Sequence, residues 1–133
     1  MQVEVDGGTR WLRLPSGRAI TYHGCKFDLA ETPYGMKPQP TFIDPRINQR
    51  VKTYGGRLTE NVTQAVARDI LSEAIVRLQE NGYKVAGHVH DEILVEGEHD
   101  LAEITRIMIQ QPSWAEGLPL DGAGFNCNRY RKG

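Results

Sequence analysis

The strongest constraint on the fold is an amphipathic segment that begins after Gly55-Gly56 and ends at Asn81-Gly82. Its apolar residues recur at three- and four-residue spacing, so they occupy one broad helix face. Thr59 is a suitable N-cap, and Asn-Gly commonly ends a helix in the left-handed conformation. The pattern predicts one long helix over residues 60–81. Its apolar face consists of two lines, Val62-Val66-Ile70-Ala74 and Ala67-Leu71-Ile75-Leu78.

The polar residues of this helix also form two lines. On the first, Glu73 and Arg77 have the spacing of a favourable ion pair, which predicts a solvated face. The second is confined to the N-terminal half, on a side that is apolar further along the helix. This second line predicts either contact with a ligand or plain exposure to solvent. The first line is Asp69, Glu73, Arg77 and Glu80, and the second is Asn61, Gln64, Arg68 and Ser72.

The chain before this helix has the patterns of β structure. Residues 11–14 and 19–22 flank a Pro-Ser-Gly-Arg turn at 15–18, which predicts a hairpin. A second, weaker hairpin is predicted around the turn sequence at 44–46. Residues 24–40 contain three prolines and two glycines, and they are predicted to form a surface loop.

A third hairpin is predicted after the long helix, with strands over 84–89 and 93–95. Strict alternation predicts one face with Val85, Gly87 and Val89, and another with Ala86, His88 and His90. A second amphipathic helix over 100–109 and a final short strand in the tail complete the prediction. The expected fold is therefore a single domain over 1–133, of the α+β class, with an antiparallel sheet backed by two helices.

Length and composition exclude several classes of protein. The chain has 133 residues, 39% of them hydrophobic, and no apolar run approaches the roughly 20 residues that span a bilayer. The N-terminus lacks the layout of a signal peptide. Cys25 and Cys127 are isolated, without a zinc or disulfide framework. These features predict a cytoplasmic protein with reduced thiols and no membrane partner.

Charge is segregated along the chain although the formal net charge is only −1. Between Arg10 and Arg57 the balance is +6, and between Glu80 and Glu103 it is −6. The segregation indicates either a basic anion-binding surface beside an acidic cation-binding one, or two ordinary solvated surfaces.

The acidic hairpin tip offers two kinds of metal chemistry. Asp91 and Glu92 are oxygen donors of the type that Mg²⁺ prefers. His88 and His90, followed by Asp91, have a spacing that also suits zinc or iron. A hydrogen-bonded structural role is the alternative for each histidine.

The residues of this tip also carry a resemblance. The run Val89-His90-Asp91-Glu92-Ile93-Leu94-Val95 resembles the HDE motif in the palm of family A DNA polymerases, the polymerase I type. Residues 54–69 are similar to the preceding helix in phage and prophage members of that family. Residues 11–18, 112–120 and 129–132 are similar to flanking segments of the same enzymes. The segments follow the expected order, and the match covers nearly the whole chain.

The resemblance implies catalytic roles for three tip residues. Asp91 would be the second catalytic carboxylate and a ligand of Mg²⁺ or Mn²⁺, Glu92 would be a supporting acid, and His90 would lie near the primer terminus. Glu92 favours DNA polymerases, because related single-subunit RNA polymerases typically carry Ser at that position. The implied reaction is DNA-directed DNA synthesis, the transfer of a nucleotide from a dNTP to a primer 3′-OH.

The resemblance also implies DNA contacts on the long helix. Gln64, with Asn61 or Glu60, would meet template–primer DNA in the minor groove, and Arg68 would contact a phosphate. Such contacts position a duplex without reading its sequence.

Two parts of the family pattern do not occur in this sequence. The motif with the first catalytic Asp and the fingers helix that grips the dNTP are both absent from the 133 residues. The chain therefore resembles a C-terminal palm portion, expected to be inactive alone and to need the remainder of the polymerase. That remainder could be a separate chain from a split gene or a removed part, and the chain could instead be a prophage remnant. Any of these implies a bacterial cell or a phage-infected host.

Two other functions remain open. A non-catalytic nucleic-acid-binding module would use the basic segment and bind DNA in a salt-dependent manner. A metal-dependent hydrolase would use His88, His90 and Asp91.

Overall fold

The structure, a computed structural model, describes residues 2–131. It is an α+β fold with a five-stranded antiparallel sheet, a two-stranded antiparallel sheet and two α-helices, which confirms the predicted class. Neither helix in the described chain is long and apolar enough to cross a membrane. The elements are β1 (Gln2–Asp6), β2 (Thr9–Arg13), β3 (Ala19–Thr32), β4 (Gly35–Asp44), β5 (Gln49–Lys52), α1 (Gly55–Glu80), β6 (Lys84–Val89), β7 (Glu92–Glu96), α2 (Leu101–Met108) and a short 3₁₀ helix (Ser113–Ala115).

The chain divides into two compact units, and the boundary falls inside α1 between Val66 and Ala67. Unit 1 contains the five-stranded sheet, in the order β1-β2-β3-β4-β5, and the first part of α1. Unit 2 contains the rest of α1, the β6–β7 hairpin, α2 and the tail.

The first two predicted hairpins are confirmed in unit 1. Strands β2 and β3 pair with Arg13 opposite Ala19, and the Leu14 N–H donates to the Arg18 carbonyl at 2.7 Å. Gly17 lies in this turn with φ 89°, a conformation that glycine adopts without steric cost. Strands β4 and β5 form the second hairpin around the predicted turn at 44–46.

The predicted loop over residues 24–40 is wrong, because the segment forms most of the long β3–β4 hairpin. The pairing continues out to Thr32 opposite Gly35. Pro33 lies in the hairpin turn, and Pro38 and Pro40 are accommodated because β5 pairs with β4 only from Thr41 to Asp44. Beyond that point β4 is an edge strand, where a missing backbone N–H is tolerated.

Helix α1 begins earlier than predicted and ends as predicted. Gly55 and Gly56 form its first turn, so Thr59 lies inside the helix and its hydroxyl donates back to the Gly55 carbonyl at 3.0 Å. The predicted N-cap role of Thr59 is therefore wrong. At the other end, Gly82 has φ 85° and the Tyr83 N–H donates to the Leu78 carbonyl at 3.0 Å, as in a glycine-ended helix.

The first part of α1 packs on one face of the five-stranded sheet. Asn61 Nδ2 donates to the Tyr22 hydroxyl at 3.0 Å, and the Tyr22 ring meets Phe42 edge to face at 5.0 Å. Leu12 lines a groove of about 290 Å³ together with residues 58, 59, 62 and 63 of the helix. The same sheet face therefore supplies the contacts of α1 in unit 1.

Unit 2 has its own hydrophobic core beneath the β6–β7 hairpin. Leu78 of α1 and Ile104 and Ile107 of α2 form its buried centre. Asp100 caps α2 by accepting from the Ala102 N–H at 2.9 Å, in agreement with the predicted start of that helix. The surrounding half-buried residues are Tyr83, Val85, Ile93, Val95 and Met108.

The line of polar residues on the second half of α1 is not the solvated face that was predicted. Asp69 is buried, and Glu73 accepts a hydrogen bond from Trp114 Nε1. Arg77 pairs with Glu73 at 3.8 Å, as predicted, and also donates to three carbonyls at the end of α2 and just beyond it. Glu73 and Arg77 are polar because they join α1 to Trp114 and to the end of α2, whereas Glu80 is exposed as predicted.

The predicted final strand is wrong as well. Within the described tail, residues 116–131 contain no strand, and the segment before them is the 3₁₀ helix. Lys132, the last residue of the segment 129–132 that resembles a polymerase flanking segment, lies outside the described residues.

Candidate functional site

The β6–β7 hairpin presents its acidic tip on a two-residue loop. Val89 pairs with Glu92, which leaves His90 and Asp91 between the strands. His90 has φ 53°, and the only other described non-glycine residue with positive φ is Asn48. This conformation is uncommon for a residue with a side chain and costs on the order of 1 kcal/mol. A position that glycine would fill without strain is thus occupied by histidine.

Asp91 is exposed at the end of this loop. Among residues 2–131, no hydrogen bond or ion pair involves its side chain. A carboxylate with no protein partner is available to a solvent-borne ligand. The tip therefore presents an acceptor that the fold itself does not use.

Glu92, the next residue, is held by the protein. It is half-buried and accepts a hydrogen bond from the Tyr130 hydroxyl at 3.2 Å. Burial of the Tyr130 hydroxyl, together with this bond to Glu92, raises the pKa of Tyr130 above its ordinary value of 10.0. Sequence reasoning missed this contact, because nothing in the local pattern of either residue points to a partner 38 positions away.

The predicted alternation along β6 is wrong because the strand contains a β-bulge. Val85 pairs with Val95 and Gly87 pairs with Leu94, so Ala86 is the extra residue. The bulge reverses the alternation, so the strand residues after Ala86 lie on the face opposite to the one predicted for them. His88 pairs with Ile93 and so shares the face of Val85, whereas His90 lies in the loop and not on the strand.

A hard divalent cation fits this donor set better than a soft one. Asp91 offers carboxylate oxygens, and a cation such as Mg²⁺ often binds one or two carboxylates and retains several waters. No group of three or more His, Cys, Asp or Glu close enough to hold a metal ion occurs within residues 2–131. A metal bound at Asp91 would thus need further oxygen ligands from water, substrate or another polypeptide.

The four predicted DNA-contacting residues on α1 have different surroundings. Glu60 Oε1 accepts from Gln64 Nε2 at 3.2 Å, and both residues are exposed. Arg68 is exposed, and its carbonyl accepts from Ser72 Oγ at 2.9 Å. Asn61 is half-buried and bound to Tyr22, so its amide group supports the packing of α1 on the sheet.

Comparison with known proteins identifies one relative of this chain. Over 133 aligned residues the chain is 39% identical to a protein of Bacillus phage SP02 named DNA polymerase. The alignment covers 96% of this chain and 20% of that protein. The chain is therefore related to about one fifth of a phage DNA polymerase. A search of protein-family models gave no match, and a search of solved structures gave none either.

Proposed function

We propose that this chain is the C-terminal palm portion of a family A DNA polymerase and that Asp91 is one of its two metal-binding catalytic carboxylates. The observation that carries the proposal is the exposed Asp91, without a partner in residues 2–131, on a strained loop within a polymerase-like sequence. The reaction is attack of a primer 3′-OH on the α-phosphorus of a dNTP, by a mechanism with two Mg²⁺ or Mn²⁺ ions. Such ions neutralise the charge that develops on the phosphate oxygens.

The hairpin gives each tip residue a separate part in this function. Asp91 offers its carboxylate to the metal from a loop whose strands rest on the core of unit 2. Glu92 is fixed by Tyr130, so it stands beside Asp91 as a supporting acid and keeps the start of β7 in place. The flanking strand pairs hold the backbone of His90 at positive φ, and its ring would lie next to the primer end.

The exposed polar residues of α1 supply contacts to template–primer DNA. Gln64 offers amide groups and Arg68 a guanidinium, both suited to minor-groove atoms or phosphates. Glu60 orients Gln64 through their hydrogen bond. Asn61 acts indirectly, because its amide is bound to Tyr22 and sets the position of the helix on the sheet.

The function requires a second polypeptide segment. The chain matches only 20% of the phage protein, and its one available tip carboxylate leaves a two-metal site incomplete. The remainder of the polymerase would supply another carboxylate and the grip on the dNTP. The isolated chain should therefore show no primer extension with Mg²⁺.

The test is co-expression of the 133-residue chain with a polypeptide that corresponds to the other four fifths of the phage protein. The pair should extend a primer on a template with Mg²⁺ and all four dNTPs. Asp91→Asn should lower the extension rate at least about 10³-fold, because several kcal/mol of charge stabilisation are lost. Asp121→Asn, a change of the same kind in the exposed tail, is the matched control and should extend normally.

Extension by the isolated wild-type chain, lost in Asp91→Asn, would contradict the claim that a partner carboxylate is needed. Extension by the pair that survives Asp91→Asn unchanged would contradict the metal-binding role of Asp91.

A further inference from the structure

The two faces of the five-stranded sheet differ in what lies against them. The covered face, defined by Leu12, Tyr22 and Phe42, receives α1. Because side chains alternate along a strand, the neighbours of these residues point to the opposite face. We call this second surface the open face and define it by Trp11, His23, Thr41, Arg50 and Lys52.

Four cations lie together on the part of the open face formed by β3, β4 and β5. We define them as the basic patch: Lys26, Lys37, Arg50 and Lys52. All four residues are exposed. Lys52 and Lys26 both pair with Thr41, from opposite sides, so their Cα atoms are about 10 Å apart across three strands. The patch therefore presents charges on neighbouring strands of one surface.

A polar network fixes the middle of the basic patch. Arg50 Nη1 donates to the Gly24 carbonyl at 2.7 Å and to Thr41 Oγ1 at 3.0 Å. The Thr41 hydroxyl donates in turn to Asp28 at 2.8 Å, and Lys26 Nζ lies 2.8 Å from the same carboxylate. The bonds from Lys26 and Thr41 lower the pKa of Asp28, so this acid stays ionised. One anion among four cations leaves a clear positive excess.

Aromatic rings lie on the same face as these charges. Trp11 pairs with Thr21, and His23 follows two residues later on the same side of β3. The two positions are diagonal neighbours, about 7–8 Å apart between Cα atoms. Trp11 is half-buried and His23 is exposed. Tyr34 adds a third ring at the hairpin end, with Lys37 Nζ 5.1 Å from its centre.

We propose that the open face binds a single-stranded nucleic acid, with phosphates at the basic patch and bases stacked on Trp11 and His23. An open sheet face that combines exposed rings with cations is suited to unpaired bases, which stack on aromatic side chains. The proposal rests on the proposed function for its substrate class. It adds a contact surface that lies outside the acidic tip and outside the polar line of α1.

The first test is fluorescence anisotropy of the 133-residue chain with a labelled oligo-dT of about 12 nucleotides, over a series of salt concentrations. Lys37→Ala/Lys52→Ala should weaken binding about tenfold. It should also reduce the slope of log K against log salt by about 1.4, or about 0.7 for each lost phosphate contact. Arg46→Ala/Lys84→Ala is the charge-matched control, because both of its cations already pair with acids elsewhere. This control should bind as the wild type does.

The second test uses the two tryptophans as reporters. In Trp114→Phe the remaining indole is Trp11 on the open face, and in Trp11→Phe it is Trp114 of the 3₁₀ helix. The oligonucleotide should quench emission from Trp114→Phe and leave emission from Trp11→Phe largely unchanged, because a stacked base quenches only the ring that it contacts.

Several results would overturn the inference. These are no binding at low salt, equal losses in the two double variants, or equal displacement of the oligonucleotide by polyglutamate. Weakened binding in Gln64→Ala/Arg68→Ala, with wild-type binding in the basic-patch variant, would remove the inference and leave the proposed function. Binding that depends on the basic patch, with no extension by the co-expressed pair, would remove the proposed function and leave the inference.

Discussion

Asp44 and Asp91 both lie where antiparallel strands turn, but their carboxylates have different surroundings. Asp44 is buried, and it accepts from the Arg46 N–H and from both sides of the Arg46 guanidinium at 2.6–3.0 Å. Asp91 is exposed and has no such partner within the described chain. The first aspartate stabilises a turn through bonds that are already complete. The second leaves its acceptor capacity open, as a ligand-binding group must.

The backbone of the two long hairpins supports the same distinction. The β3–β4 hairpin uses Gly35, with φ 94°, where a left-handed residue is required. The β6–β7 hairpin has His90, also at positive φ (53°), as the first residue of its loop. A turn chosen for stability alone would take Gly or Asn at such a position. The loop that holds Asp91 therefore contains a strained residue where glycine or asparagine would be more stable, which fits a functional role.

The largest expected difference in the free energy of unfolding concerns the hydrophobic packing of the two hairpins. Leu78 is fully buried under β6–β7, whereas Leu29 on the outer part of β3–β4 is 71% exposed. Leu78→Ala should lower the free energy of unfolding by about 2–5 kcal/mol, because it leaves a cavity. Leu29→Ala, the same chemical change, should alter it by no more than about 0.5 kcal/mol.

Urea unfolding followed by tryptophan emission measures both values. Similar losses for Leu78→Ala and Leu29→Ala would show that the outer part of β3–β4 is packed as firmly as the base of the acidic hairpin.

A second contrast lies within unit 2 and concerns two basic residues. Arg77 makes part-buried hydrogen bonds to the carbonyls of Ile107 and Met108 and an exposed one to that of Gln110, so Arg77→Met should remove all three and cost about 1–3 kcal/mol. Lys84 makes one exposed ion pair with Glu96, and Lys84→Met is expected to change stability little. Thermal unfolding of the two variants compares them at equal change in charge. Equal melting temperatures would contradict the structural role of Arg77.

These contrasts also show which parts of the molecule the sequence could predict. Periodicity located α1 and α2, and turn residues located the β2–β3 hairpin, because both signals are local. The β3–β4 hairpin was missed because two of the three prolines that suggest a loop, Pro38 and Pro40, lie on an edge strand, and only Pro33 lies in a turn. The bulge at Ala86 was missed because alternation carries no sign of an inserted residue.

The candidate site was predictable to the same limited extent. The acidic tip was visible as the sequence His90-Asp91-Glu92, and the structure places all three at the end of β6–β7. The bond from Tyr130 to Glu92 and the one from Asn61 to Tyr22 join residues far apart in the chain. Such contacts depend on tertiary packing, which no local pattern contains.

The third comparison replaces the two residues at positive φ, His90 and Gly35, one in each hairpin. His90→Gly should raise the free energy of unfolding by about 0.5–1 kcal/mol, because the strain removed exceeds the added flexibility of the unfolded chain. Gly35→Ala should lower it by about 1–2 kcal/mol, because alanine is strained at positive φ. Urea denaturation measures both. A loss of stability in His90→Gly would mean that the histidine ring makes a stabilising contact. It would contradict the claim that His90 lowers the stability of the fold.

The smallest expected effect on stability concerns Asp44, the buried aspartate of the first comparison. The hydrogen bonds from Arg46 lower the pKa of Asp44 from 3.8 to about 2. Because the folded pKa is the lower one, ionised Asp44 stabilises the fold fully above pH 3.8, and this contribution disappears as the pH falls through about 2. Unfolding midpoints measured from pH 5 to pH 2 should therefore fall less steeply in Asp44→Asn than in the wild type. Arg46→Gln, which removes the cause of the shift, should flatten the profile in the same way. An unchanged slope in both variants would mean that the Asp44–Arg46 pair does not hold this turn, and the contrast with Asp91 would then rest on exposure alone.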